Sequence, residues 1–199
     1  MNQQNTLIIF VKNEEAGKVK TRLAKSVGDD KALEVYRKLL AYTANITSPL
    51  KAKKEVWYSR FIPENDLWSD GNFNKKVQMG EDLGQRMSNA FQLSFEDGAQ
   101  KAVIIGSDCG ELTSAIMEQA FEALDDAEFV VGPAEDGGYY LLGMKNFHPE
   151  IFGDIEWSTG SVLEKTLAKM KQSGNPVHQL EKLNDVDTIE DWERIKEKF

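Results

Sequence analysis

The chain has 199 residues, 41% of them hydrophobic, which is enough to bury one core and too little for two independent ones, so residues 1–199 read as one domain. The 33 acidic and 24 basic residues leave a net charge of -9, which opposes a sequence-independent grip on DNA or RNA phosphates. A single cysteine, Cys109, excludes an internal disulfide, two histidines, His148 and His178, argue against a histidine-based zinc site, and no stretch reaches the roughly 18 apolar residues of a membrane span.

Met1 to Asn5 is polar rather than basic-then-apolar, so no signal peptide is read there and the expected location is the cytoplasm. Leu7 to Val11 is short, apolar and β-branched at its centre, which predicts a buried opening strand. The segment from Lys12 to Val27 is polar, carries Gly17 and gathers Lys12, Lys18, Lys20, Arg22 and Lys25, which predicts a basic loop. From Asp30 to Ile46 the positions Leu33, Tyr36, Leu40 and Thr43 share a helical face, with Asp29 or Asp30 available as the N-cap.

Strands are expected at Glu55–Ser59 and Lys76–Met79, then a helix over Asp82–Phe95 with Leu83, Met87, Ala90 and Phe91 inward. A continuous apolar strand, Ala102–Gly106, precedes a helix from Ser114 to Leu124. Phe129–Val131 and Tyr139–Met144 flank the turn-rich run Gly132 to Gly138, so two strand ends meet at one loop. Ser161 with Glu164 predicts a capping box for a helix to Gln172, a short strand lies near Val177–Leu180, and Thr188 with Asp191 opens the last helix. Alternating strands and helices without repeats or linkers predict an α/β sheet.

Asp108 follows a buried strand and should emerge at the sheet edge where such folds bind ligands. It suits a Mg²⁺ or Mn²⁺ ligand, since one or two carboxylates suffice when phosphate oxygens and water complete the shell, or it caps the next helix. Lys18, Lys20 and Arg22 are spaced so that an extended segment would aim them together at a phosphate; the alternative is a solvated basic surface. Asp136 is either a substrate hydrogen-bond acceptor, a general base, or a turn aspartate, and Gly137 and Gly138 permit close approach of a ligand before Tyr139. Asp185 and Asp187 precede a helix, as caps or as a second metal ligand. Cys109 has no neighbouring histidine and reads as packing. The Gly-x-Gly-x-x-Gly and Walker A patterns are absent, which disfavours dinucleotide oxidoreductases and P-loop enzymes.

In combination, Gly17 to Leu23, Asp82 to Met87, Gly106 to Cys109, Gly132 to Tyr140 and Asp185 to Thr188 resemble a bacterial family of candidate glycosyltransferases in the nucleotide-diphospho-sugar transferase superfamily. The resemblance implies a GT-A type fold, a three-layer α/β/α domain with a mixed, mainly parallel sheet. It also implies an aspartate-bound divalent metal, Asp108 matching that aspartate and Asp187 a second ligand. By the same resemblance Lys20 and Arg22 contact phosphates, Asp82 and Arg86 line the site, and Asp136 to Tyr139 face sugar or acceptor. Gly110 and Asn13 to Ala16 depart from the family's prolines. The implied activity is sugar transfer from a nucleotide-diphospho-sugar to a small acceptor; nucleotidyl transfer and a non-catalytic nucleotide-sugar binding protein stay open, because one scaffold hosts all three.

Overall fold

A computed structural model describes residues 5–199, so the reading of the first four residues lies outside it. The chain forms β1 (Asn5–Val11), α1 (Thr21–Val27), α2 (Asp29–Thr47), β2 (Lys53–Tyr58), β3 (Asn74–Val77), α3 (Leu83–Glu96) and β4 (Lys101–Ile105). It continues through α4 (Ser114–Asp126), β5 (Phe129–Pro133), β6 (Tyr139–Met144), α5 (Val162–Gln172), β7 (Val177–Gln179) and α6 (Ile189–Ile195), with short 3-10 turns at Pro149–Phe152 and Lys196–Lys198. The seven strands form one sheet in the order β3-β2-β1-β4-β6-β5-β7, in which β6 alone runs against its neighbours. The expected mixed, mainly parallel α/β sheet is what the chain adopts.

Strand alternation divides the core between two faces. Leu7, Ile9, Val11, Val103 and Ile105 pack with Tyr36 and Leu40 of α2 and with Ile116, Met117 and Phe121 of α4. Ile8, Ala102 and Ile104 face the other way, onto Met87, Ala90 and Phe91 of α3 and Met170 of α5. A smaller cluster of Leu23, Val35, Leu39, Val186, Trp192 and Ile195 joins α1, α2 and α6 beside the main core. Helices thus cover both faces, as the three-layer reading requires. Among the described residues no helix is long and apolar enough to cross a membrane.

Several local expectations are corrected. The polar segment after β1 is not all loop: Thr21–Val27 is helical, anchored by the fully buried Leu23. The N-cap of α2 is Gly28, with Asp29 and Asp30 in the first turn, where carboxylates favour the positive helix end. Strand β3 lies two residues earlier than read, and Leu83 is 43% exposed rather than inward because it opens the helix at the cleft mouth. Ser161 makes no capping bond to α5; its hydroxyl meets Thr159 Oγ1 instead. The Thr188–Asp191 capping box on α6 forms as expected.

Candidate active site

The C-terminal ends of β1, β4, β5 and β7 and the start of the reversed β6 lie on one edge of the sheet. That edge gathers the segments after Val11, after Ile105, between Pro133 and Tyr139, and from Leu180 to Thr188. Backbone bonds tie them together: Val186 N–H donates to Asp108 O at 2.9 Å and Leu183 N–H to Pro133 O at 3.1 Å. The resulting cleft has a charged chamber of about 460 Å³ and a more apolar one of about 510 Å³. The two share Lys12, Tyr36, Leu83, Asp108, Tyr139, Ser158 and Asp185.

Lys20 is the unexpected centre of the charged chamber. Its side chain is 3% exposed, and its ammonium lies 2.8 Å from Asp108 Oδ1 and 3.6 Å from Asp187 Oδ1. The residue holds φ 47° and ψ 44°, a left-handed conformation that costs a side-chain-bearing residue about 1–2 kcal/mol and is kept only where surroundings enforce it. That turn feeds α1, which carries Arg22 to Asp187 Oδ2 at 3.1 Å. Lys18, by contrast, stands exposed in the preceding turn and lines neither chamber. The extended segment expected to aim all three cations is therefore replaced by a turn and a helix, which aim two.

Asp108 does not cap α4, whose N-cap is Thr113, nor does Asp187 cap α6, whose N-cap is Thr188. Both carboxylates are left for the cleft. Asp185 lies on the wall of both chambers; burial, and then the charge of Asp108, push its carboxyl up to about 7 despite Lys20. Cys109 is packed against Asn184 O, and burial pushes its thiol up to about 12, which fits packing rather than nucleophilic chemistry.

Among the described residues no three His, Cys, Asp or Glu side chains cluster tightly enough to hold a metal by themselves. Two carboxylates joined through one lysine do fit a hard cation whose remaining ligands are phosphate oxygens and water, the usual arrangement for Mg²⁺. They do not fit a site closed by protein ligands alone. His148 follows the far end of β6, where it meets Glu128 and Glu150 at 3.1 and 2.7 Å, on the opposite sheet edge.

The other wall is the β5–β6 loop. Asp136 Oδ1 accepts from Gly138 N–H at 2.8 Å, so the residue is a turn aspartate that also lines the charged chamber. Gly137 has φ 86°, and a Cβ there would meet Gly160 O at 2.1 Å; its own oxygen accepts from Leu163 N–H at 2.9 Å. This close approach is what the glycine provides, rather than direct contact with the cleft. The loop is thereby clamped to Trp157–Gly160, a segment whose Ser158 is left-handed at φ 64°. Trp157 lines the charged chamber, packed so closely on Gly84 that a Cβ there would lie 2.3 Å from the indole.

Gly138 and Tyr139 lie on the cleft wall, and Asp82 and Arg86 line the apolar chamber. Asp82 is also the N-cap of α3, accepting from Gln85 N–H at 2.8 Å, and Arg86 Nε donates to Gly80 O at 3.0 Å. Trp157 and Tyr36 were not expected in the site, and of the two carboxylates before α6, considered together as caps or a second metal ligand, the resemblance carried over Asp187 alone, whereas Asp185 also lines the cleft. Tyr36 carried a core signal; its hydroxyl nevertheless accepts from Lys12 N–H at 2.8 Å and donates to Lys12 O at 3.1 Å, fixing the start of the basic loop.

Residues 34–159 match a family described as an uncharacterized protein conserved in bacteria (DUF2064). A solved structure of a candidate nucleotide-diphospho-sugar transferase from Desulfovibrio desulfuricans is 36% identical, covers 94% of this chain and 83% of its own, and superposes with a TM-score of 0.86. At the level of fold alone, the chain is similar to 4-diphosphocytidyl-2C-methyl-D-erythritol synthase from Anaerococcus prevotii (8% identity, 98% and 96% coverage, TM-score 0.64). It is likewise similar to the Mycobacterium tuberculosis protein Rv0371c in complex with manganese (18% identity, 98% and 100% coverage, TM-score 0.55). No curated protein matches the sequence.

Proposed function

The chain belongs to the bacterial DUF2064 family, and from that membership together with the charge pattern of the cleft we propose that it is a cytoplasmic transferase taking a nucleotide-diphospho-sugar as donor and a small molecule as acceptor. The observation that carries this reading is the opposition of Lys20 and Arg22 to Asp108 and Asp187 at one sheet edge, beside the Asp136–Tyr139 loop. The same cleft joins that charged chamber to a more apolar one, matching a ligand with a diphosphate between a sugar and a nucleoside.

When the bond from sugar to diphosphate breaks, negative charge builds on the departing phosphate oxygen. Lys20 and Arg22 would stabilise it, and their benefit would grow with that charge, which is the requirement for lowering a barrier rather than merely binding. Asp108, with Asp187 as a second ligand, would hold Mg²⁺ or Mn²⁺, which supplies further neutralisation of the diphosphate. Asp136 Oδ1 accepts from Gly138 N–H while Oδ2 has no hydrogen-bond partner among the described residues, so Oδ2 would accept a proton from an acceptor hydroxyl. Trp157 offers an apolar face on the same wall for the sugar or acceptor.

Nucleotidyl transfer would use the same cations on departing pyrophosphate, and the fold likeness to the 4-diphosphocytidyl-2C-methyl-D-erythritol synthase accommodates it. Against it, many nucleotidyltransferases of this fold have a glycine-rich first loop ending in Gly-Thr-Arg, whereas here Gly17 is followed by Lys18, Val19, Lys20, Thr21 and Arg22, and Glu14 and Glu15 of the same loop pair with Arg37 and Arg60 at 2.7 and 2.6 Å. Thermal unfolding against nucleoside diphosphates, diphospho-sugars and triphosphates, with and without Mn²⁺, tests the reading. A metal-dependent rise for one diphospho-sugar is expected; a preference for a triphosphate overturns sugar transfer in favour of nucleotidyl transfer.

A further inference from the structure

Lys20 occupies the place of a bound cation between Asp108 and Asp187, yet it is poorly satisfied there. Its ammonium is buried and, although 2.8 Å from Asp108 Oδ1, is not aligned for a hydrogen bond with any partner among the described residues. The backbone that delivers it is strained at φ 47°. Its two carboxylate partners are more than a third exposed, at 39% and 37%, and line the charged chamber. Arg22, the other cation on Asp187 at 3.1 Å from its Oδ2, is 65% exposed.

From this geometry we infer that Lys20 is a built-in counter-cation that keeps free divalent metal off Asp108 and Asp187 until a diphosphate arrives. The inference rests on the proposed nucleotide-diphosphate reading and adds an order to it. Two cations cannot share these carboxylates at close range without an anion between them, since their repulsion in a partly dry cleft is strong. A diphosphate provides that anion. The lysine stem can rotate its ammonium from the carboxylates to the phosphate, trading a misaligned contact for a charge-assisted one and leaving the carboxylates for the metal. Lys20 thus acts as a positioning residue before it acts as a phosphate contact, and metal binding becomes contingent on the donor.

The test is Mn²⁺ binding to the full chain, followed by electron paramagnetic resonance of the free ion, in the wild type, Lys20→Met and Lys20→Arg. Thermal unfolding with Mn²⁺, inorganic pyrophosphate, both or neither accompanies it. The wild type is expected to bind Mn²⁺ alone weakly and to be stabilised by Mn²⁺ only when pyrophosphate is also present. Lys20→Met should bind Mn²⁺ alone about tenfold more tightly or better, the size expected for removing one unit charge a few ångströms away. Lys20→Arg, which keeps the charge, should behave as the wild type. A folded Lys20→Met that binds Mn²⁺ no more tightly overturns the inference, while joint stabilisation of the wild type leaves the diphosphate reading standing. The wild-type comparison needs no variant: equal stabilisation by Mn²⁺ with and without pyrophosphate overturns the order directly. Absence of any Mn²⁺ effect in all three proteins overturns both this inference and the metal-dependent reading.

Discussion

Replacing Gly137 by alanine tests whether the two walls of the cleft are held together as described. At φ 86° an added Cβ costs about 1 kcal/mol relative to glycine, from backbone strain alone. The Cβ would also meet Gly160 O at 2.1 Å, its carbonyl carbon at 2.7 Å and its Cα at 2.8 Å. All three are backbone atoms, so no rotamer change relieves the overlap and the segments must part by about an ångström, an overpacking cost of about 1–3 kcal/mol. Parting them breaks the bond from Leu163 N–H to Gly137 O, worth about 0.5–1.5 kcal/mol. The contributions overlap, and a loss of about 3 kcal/mol is expected in urea unfolding. Gly153→Ala is the matched control, because φ there is -73° and a Cβ meets nothing within 4 Å. It should leave stability unchanged or raise it by up to about 1 kcal/mol. A loss below about 1 kcal/mol for Gly137→Ala, or equal losses for the two variants, would refute the clamp.

Asp108→Ala should keep its circular dichroism spectrum while losing metal-dependent stabilisation by nucleotides; retention of the full metal-dependent shift removes Asp108 from the metal site. In Arg22→Ala, affinity for nucleoside diphosphates should drop about tenfold while nucleoside affinity holds, as read by calorimetry, since a charge-assisted contact to phosphate contributes on the order of 1.5–3 kcal/mol and this arginine is exposed. Equal loss for both ligands would point to damage elsewhere. The raised carboxyl of Asp185 gives a pH signature with a definite sign. Its folded value, about 7, lies above the ordinary 3.8, so the stability its protonated form contributes is fully present below 3.8 and is lost progressively as pH rises from there through 7. Asp185→Asn should therefore raise the melting point in EDTA more at pH 8 than at pH 5, where only part of that stability has been lost; the same gain at both values contradicts the assignment.

The sheet was legible because its strands obey simple patterns. Leu7 to Val11 and Ala102 to Ile105 are buried on both faces and read as continuous apolar runs, and the helices over Tyr36, Phe91 and Phe121 carry the apolar spacing that their packing uses. Helix α1 was not legible, since seven residues bury only Leu23 and one apolar side chain has no period. Asp108 and the β5–β6 loop could be placed from their position after strands. The burial of Lys20 could not, because lysine in a polar segment ordinarily faces water, and its partners Asp108 and Asp187 are brought to it only by the sheet order. Asp185 and Asp187 were ambiguous for a local reason: Asn-Asp-Val-Asp-Thr offers several capping side chains, and only the structure gives that task to Thr188 and releases the carboxylates. Trp157 had no signal beyond a lone aromatic in a turn; its partner Gly84, a glycine early in a helix, becomes meaningful only once the indole is seen against it.

The most direct test of the proposed chemistry is to follow what leaves when the protein turns over a donor. Each diphospho-sugar and triphosphate would be incubated with Mn²⁺ and the wild type or Asp108→Ala, with phosphorus NMR resolving the products. Sugar transfer, or slow hydrolysis to water when no acceptor is supplied, predicts release of a nucleoside diphosphate from one diphospho-sugar, without pyrophosphate and not with Asp108→Ala. Release of pyrophosphate together with a nucleoside monophosphate, water standing in for the missing phosphate acceptor, from a triphosphate by the wild type, with every diphospho-sugar left intact, would contradict sugar transfer and assign the cleft to nucleotidyl transfer.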